Sequence, residues 1–388
     1  MPVINRFADI HDEIAAWRRD YHRHPELLYD VTRTAADVAQ KLRSFGCDEV
    51  VEGIGRTGVV GVIRGAADGG KRAIGLRADM DALPISEESG KPWSSETPGK
   101  MHACGHDGHT AMLLGAARYL TETRRFAGEA IVIFQPAEEG GAGAKAMLDD
   151  GLVDRFGIEE VYGMHNFPGL AVGHFGIRPG PLMAAADHFT IDIEGHGGHA
   201  AKPNATVDPV VVGAAIVQAL QSIVARNVDP LKSAVVSVTT FHAGEAFNVI
   251  PQRARLTGTA RSLDSQIRDL LERRMGEVVR NVAAAFGATA NFHYLRNYPV
   301  TANHSEATEK AVAVARDVAG DANVDADMNP VMGGEDFSFM LEARPGAFIF
   351  IGNGDTEGLH HPKYDFNDAA IPYGASYWAR LVETLLPA

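Results

Sequence analysis

Two hydrophobic rhythms predict an α/β protein of two domains, with a smaller α+β unit inserted into a larger one. Through the first half of the chain, short apolar runs alternate with helical stretches, the pattern of a largely parallel sheet covered by helices. From about residue 187, Phe189, Ile191 and Ile193 alternate with Thr190, Asp192 and Glu194, the period of a half-buried strand. Mixed helix and strand signals resume near residue 298. Residues 1–183 and 297–388 are therefore expected to form one discontinuous domain and 184–296 the insert, with hinges near Pro181 and Asn297.

Ile10, Ile14 and Trp17 mark the inner face of an opening helix, and a second helix over 32–45 is stopped by Gly46. Strands follow at 59–63 and 73–76, a helix at about 109–125, and buried strands at 130–134 and 161–164. Inside the insert the order is a strand at 189–194, a helix at 208–226, strands at 234–241 and 253–261, a helix at 266–286 and a strand at 288–295. That β-α-β-β-α-β order is the ferredoxin-like unit. A strand at 347–351 and an amphipathic helix after Pro372 close the chain.

The 388 residues carry a formal charge of −14, and Lys and Arg are scattered without a basic run, which argues against a nucleic-acid partner. No apolar run is expected to reach the ~18 residues of a membrane span, so no membrane partner is expected. The start, Met1-Pro2-Val3-Ile4-Asn5-Arg6, lacks the apolar core of a secretory signal, and only Cys47 and Cys104 are present; a cytoplasmic, reducing setting is expected. Sixteen histidines, several beside Gly, Asp, Glu or Cys, point toward metal chemistry.

The densest cluster is His102-Ala103-Cys104-Gly105-His106-Asp107-Gly108-His109, expected in a glycine-containing turn before a helix. A thiolate and an imidazole two positions apart suit divalent transition metals; the rival is a turn whose histidines only cap the helix. Gln135-Pro136-Ala137-Glu138-Glu139-Gly140 follows an apolar strand, where neighbouring carboxylates can divide metal binding from proton transfer, although an acidic solvated loop gives the same string. His165 follows the strand expected at 161–164, and His360-His361 precede the last helix. Asp81, at a strand end, can orient a ligand imidazole. Glu335 and Asp336 either cap a helix or bind metal. In the insert, Gly195-His196-Gly197-Gly198-His199-Ala200 and Phe247-Asn248-Val249-Ile250-Pro251 can approach a ligand closely or simply form bulges.

In this order, with Arg19-Asp20-Tyr21-His22-Arg23-His24-Pro25-Glu26, Arg77 to Pro84 and Gly333 to Phe337, these segments resemble the M20 metallopeptidases, specifically their aminoacylase and hippurate hydrolase branch. The resemblance spans nearly the whole chain. It implies a zinc-peptidase-like α/β catalytic domain and an inserted lid that also dimerises, giving a homodimer or a dimer of dimers. It also implies two divalent ions per subunit (Zn, Mn, Ni or Co), held by Cys104, His106, Glu139, His165 and His360. Glu138 would be the general base, His199 would donate to the developing oxyanion, and Asn248 and Arg261 would hold the substrate. The wider family's His-x-Asp motif reads Asp79-Met80-Asp81 here, and Cys104 supplies the ligand instead.

The expected activity is amide-bond hydrolysis of a small N-acyl amino acid of the hippurate or N-acetyl type by a metal-activated water. A dipeptidase, a deacylase of an N-acetylated biosynthetic intermediate and a catalytically silent metal-binding protein are the alternatives.

Overall fold

A computed structural model describes residues 3–67, 70 and 72–388. Met1 and Pro2, part of the N-terminal segment considered above, lie outside the described residues. The chain divides into two units, the first comprising Met1–Leu182, Ala302–Asn329 and Asp336–Ala388 and the second Met183–Thr301 with Pro330–Glu335.

The first unit is built on an eight-stranded mixed sheet whose four middle strands, Glu129–Gln135, Ala73–Asp79, Ile158–Pro168 and Gly346–Gly354, are mutually parallel. Continuous apolar runs such as Ala130-Ile131-Val132-Ile133-Phe134 allow this, because helices cover both faces and no position needs to face water. The Glu49–Ile54 and Gly58–Arg64 hairpin extends one edge in antiparallel fashion. All four parallel strands end at the same side of the sheet, where chemistry-bearing loops gather in α/β folds.

Two local boundaries differ from the sequence expectation. The helix expected at 109–125 runs from His106 to Thr123, so His106, Asp107 and His109 lie on its first turn and not in the loop before it. Gly105 makes this possible: its φ of +88° is left-handed, and a Cβ there would meet the Asn166 amide at 2.3 Å. His165 lies within the Ile158–Pro168 strand and not after it, since Phe350 continues the pairing opposite it.

The opening helix, His11–Arg23, buries Ile14 and Tyr21 as its pattern requires, but it also buries Arg18 and His22, while Trp17 is only partly covered. Spaced i,i+4, the two cationic side chains share one face and meet Asp107. Arg18 Nε lies 2.9 Å from Asp107 Oδ2, and His22 Nδ1 lies 2.8 Å from the same oxygen.

The second unit contains a four-stranded antiparallel sheet in the order Ala234–Ala243, Arg253–Ser262, Ala185–Glu194, Thr289–Tyr298, which is the ferredoxin-like arrangement. Helices Pro209–Arg226 and Ser265–Ala285, each capped by an aspartate, Asp208 and Asp264, pack on one face. Contrary to the sequence expectation, Pro209–Arg226 is long and apolar enough to cross a membrane by length and composition. Here Val212, Ile216, Leu220 and Ile223 bury one stripe of it against the sheet.

The His22 contacts make stability pH-dependent. Burial opposes its charge, but Asp107 and a hydrogen bond to Glu87 outweigh that and push its pKa from 6.5 to about 9. A group raised on folding stabilises fully below its unfolded value and loses that stabilisation as pH rises through the folded one. We therefore expect the unaltered protein to lose up to roughly 3 kcal/mol between pH 6.5 and 9.5 through this residue. His22→Gln should flatten that slope in urea midpoints measured across the window. Parallel profiles for the two proteins would contradict it.

Candidate metal centre

Three strand ends and one helix start converge in the first unit. Asp81 follows the Ala73–Asp79 strand, and its carboxylate accepts the backbone N–H of Glu138 at 2.9 Å and of Glu139 at 3.1 Å. One side chain thus fixes the turn carrying both glutamates. Ala137, at φ +55°, bends the chain into that turn, its N–H donating to the Leu28 carbonyl at 3.1 Å.

The histidine tautomers follow from their partners. His106 Nδ1 donates to the Asp81 backbone carbonyl at 2.7 Å, and the Asp81 carboxylate, 3.5 Å from the same nitrogen, serves the glutamate turn. His165 Nδ1 donates to the Asn166 carbonyl at 2.7 Å. In both rings Nε2 is therefore the nitrogen left to face inward. Sequence reasoning gave no role to His109, one helical turn beyond His106. Its Nδ1 donates to Asp79 Oδ1 at 2.6 Å and its Nε2 accepts the Asn166 N–H at 2.9 Å, so both nitrogens are engaged and neither is available as a ligand.

What remains is a compact donor set. Ligand atoms of Cys104, His106 and Glu139 lie within 4.8 Å of one another, and Cys104 Sγ is 3.4 Å from His165 Nε2. Glu139 Oε1 is 4.0 Å from His106 Nε2 and 3.3 Å from His360 Nε2. His106 Nε2 and Glu139 Oε1 are buried and have no hydrogen-bond partner. Buried polar atoms are almost always satisfied, and a soft thiol, imidazoles and a carboxylate around orphaned atoms fit divalent transition metals. His360 differs from the rest in being half exposed and left-handed at φ +66°.

The electrostatics agree. Burial disfavours a charged His106, but Asp79, Asp81 and Glu139 outweigh it and push its pKa to about 10. Burial raises the Cys104 thiol well above its usual range, with Glu139, Glu138 and Asp79 adding to the effect. Burial likewise lifts Asp81, reinforced by Glu139. Burial and His109 hold His165 well below its usual range, and although burial raises Glu139, His360 and His106 outweigh it and lower that carboxyl, so the protons gather on His106 and Cys104.

Beneath the site, Arg77 is fully buried and donates to Gln135 at 2.8 Å, to Asp79 at 2.7 Å and to Asp336 at 3.0 Å. Asp336 also accepts from Gln135 Nε2 at 2.8 Å and from the Ala144 N–H at 2.9 Å. Asp336, read from the sequence as either a helix cap or a metal ligand, lies in this buried network. Glu335 belongs to the second unit.

In that unit, His199 pairs with Val249 across a two-residue ribbon, and the Asn248 carbonyl accepts the Ala200 N–H at 3.0 Å. His199 and Asn248 are thus brought together, both exposed. His199 Nδ1 accepts the Ala201 N–H at 3.1 Å, leaving Nε2 to face outward. Arg261 lies near the far end of the Arg253–Ser262 strand from Arg253, which pairs with Glu194 at the ribbon end, so roughly 25 Å separates it from that end. Burial lowers its pKa.

Because ligands must shed protons to bind an ion, loading at pH 8 should release about two protons per subunit, from His106 and Cys104, and apparent affinity should rise with pH. Calorimetry in buffers of different ionisation enthalpy measures this, and Cys104→Ser should release about one proton fewer. Binding with no net proton release would refute the assignment.

Residues 75–384 match the model of Peptidase family M20/M25/M40. The chain is 43% identical to a hippurate hydrolase of Campylobacter jejuni over 98% of both chains, and 39% identical to an N-acetylcysteine deacetylase of Bacillus subtilis over 97% of both. A solved dinuclear metal-binding peptidase of the M20 family from Bacillus subtilis superposes with a TM-score of 0.84 at 35% identity, covering 98% of this chain and 99% of its own. The family match, the relatives' names and the convergent donor set together make this chain a metal-binding amidohydrolase belonging to peptidase family M20/M25/M40.

Proposed function

We propose that the chain hydrolyses the amide bond of a small N-acyl amino acid of the hippurate or N-acetyl type, using two divalent ions held by Cys104, His106, Glu139, His165 and His360, with Glu138 as general base. The observation that carries this is the Asp81-held turn, in which Glu139 reaches toward His106 and His360 while the adjacent Glu138 is buried beside it. The names of the relatives from Campylobacter jejuni and Bacillus subtilis support the substrate class.

Two divalent ions held by these residues would supply a water acidified toward neutrality and a polarised carbonyl. Glu138 would take a proton from the attacking water onto its carboxylate as the oxygen adds to the amide carbon, and would return it to the nitrogen of the leaving amine as the C–N bond breaks. Asp81 holds the backbone of the turn that carries Glu138, and the Arg77–Asp336 pair braces the strand end before it. For His199, Asn248 and Arg261 the proposal keeps substrate-binding roles on chemical grounds, since imidazole and amide N–H groups donate to oxyanions and a guanidinium matches a carboxylate. It also keeps a homodimeric, cytoplasmic setting.

Glu138→Gln should retain its metal and fold while turnover falls by about 10² to 10⁴. The assay is release of free amine from a panel of acetyl, benzoyl and longer-acyl amino acids and dipeptides by metal-loaded protein. Near-normal turnover in a metal-replete variant would remove Glu138 from the role. Exclusive cleavage of dipeptides would overturn the substrate class, and no release from any member would favour a silent metal-binding protein.

A further inference from the structure

The role of the Arg19 to Glu26 motif and of the arginine just before it is not explained by the chemistry above. Arg18 is completely buried, yet it reaches two segments far apart in sequence. On one side its Nε lies 2.9 Å from Asp107, the residue immediately after His106 on the first turn of the His106–Thr123 helix. On the other side its Nη2 bonds Asp365, and its Nη1 lies 3.6 Å from Asp368, both just beyond His360.

The segment carrying His360 is irregular, although Tyr364 is buried with its hydroxyl donating to Asn166 at 2.8 Å and the Glu88 N–H donates to the Pro362 carbonyl at 2.8 Å. His360 itself is half exposed, its backbone is left-handed, and residues 355–367 around it contain neither helix nor strand. Its own N–H donates to the Ala103 carbonyl at 2.7 Å. Beyond it, the Asp365 carboxylate meets Arg18, the Trp93 indole N–H at 3.1 Å and Lys91 Nζ at 3.3 Å; of these cations only Arg18 is buried. His106 and His360 both point at Glu139 Oε1, from 4.0 and 3.3 Å. A site assembled from a rigid helix and an irregular loop needs the two held in register, because ligand geometry tolerates errors of only a few tenths of an ångström.

We propose that Arg18 is a positioning residue that fixes the His360 loop against the His106 helix, so that both imidazoles meet Glu139 and the second of the two ions is retained. A planar guanidinium suits this task, since its fork engages carboxylates on two sides at once where an ammonium offers a single point. The inference rests on the dinuclear reading of the site and concerns how the chain holds the ions, not which substrate it cleaves.

The test uses the full chain loaded with cobalt(II) alone. Bound metal is counted after dialysis against graded chelator, and kcat and KM are measured separately on a substrate cleaved by the unaltered protein. Arg18→Met should give up one of two ions at chelator concentrations about tenfold or more below those the unaltered protein tolerates, with kcat reduced and KM within about threefold. If Arg18→Met fails to fold, Asp365→Asn, which leaves Arg18 paired with Asp107, should show the same loss. Arg18→Lys should restore it only in part.

Glu160→Gln, which disrupts a separate ion pair with Arg72 and Lys310 in the same unit, serves as the control for general destabilisation. It should lower the melting temperature without changing metal retention. Two ions held as tightly in the Arg18 and Asp365 variants as in the unaltered protein would overturn the proposal, as would equal metal loss from Glu160→Gln. An unaltered protein that takes up fewer than two ions would instead overturn the dinuclear reading, and this inference with it.

Discussion

Buried negative charge at the carboxyl ends of the parallel strands is the constraint on which the site depends. Asp79 and Asp81 are fully buried there, Glu138 nearly so, and Glu139 largely covered. Carboxylates taken out of water must be paired, bonded or neutralised. The protein meets that requirement unevenly. Asp79 is satisfied by Arg77 and His109, and Asp81 by two backbone N–H groups. Glu139 Oε1 and His106 Nε2 have charged neighbours but no hydrogen bond among the described residues. These two donor atoms face each other across 4.0 Å, where a cation would satisfy both.

That division explains why the surrounding residues are so heavily cross-braced. Arg77 ties Asp79 to Asp336, and Asp336 also holds Gln135 and the start of the Gly143–Asp149 helix, so the glutamate turn is anchored at its strand end and at the helix that follows it. His109 connects Asp79 to Asn166, which is bonded in turn to the Cys104 carbonyl at 2.6 Å and to Tyr364 at 2.8 Å. Groups that never touch an ion fix the tautomers and orientations of those that would, which is how outer partners tune a metal site.

Much of this was legible in the sequence because it is local. Alternation and apolar runs marked the strands, Gly46 ended its helix, and Cys104-Gly105-His106 and Glu138-Glu139 announced donors by residue type and spacing. What escaped was set by distant partners. Arg18 and His22 look like the solvated face of an amphipathic helix, and their burial depends on Asp107 and on Asp365, 85 and 347 positions away. No periodicity encodes such pairs. Asp336 read equally as a helix cap or a metal ligand, because Arg77, with which it pairs, is 259 positions distant. The helix start was misplaced by three residues because Gly105 reads as a turn residue, whereas here its left-handed backbone opens the helix directly at His106.

The central claim is that Cys104, raised as a thiol by burial among acids, becomes a metal-bound thiolate when divalent ions enter. Absorption spectroscopy of the cobalt(II)-loaded protein tests it most directly, since a thiolate bound to cobalt gives a near-ultraviolet charge-transfer band that nitrogen and oxygen ligands do not. Only Cys47 and Cys104 are present, so the source is unambiguous. The account predicts that the band grows with added cobalt in the unaltered protein and in Cys47→Ser, and is abolished in Cys104→Ser. A cobalt-saturated protein without the band, or one whose band survives Cys104→Ser, would contradict it.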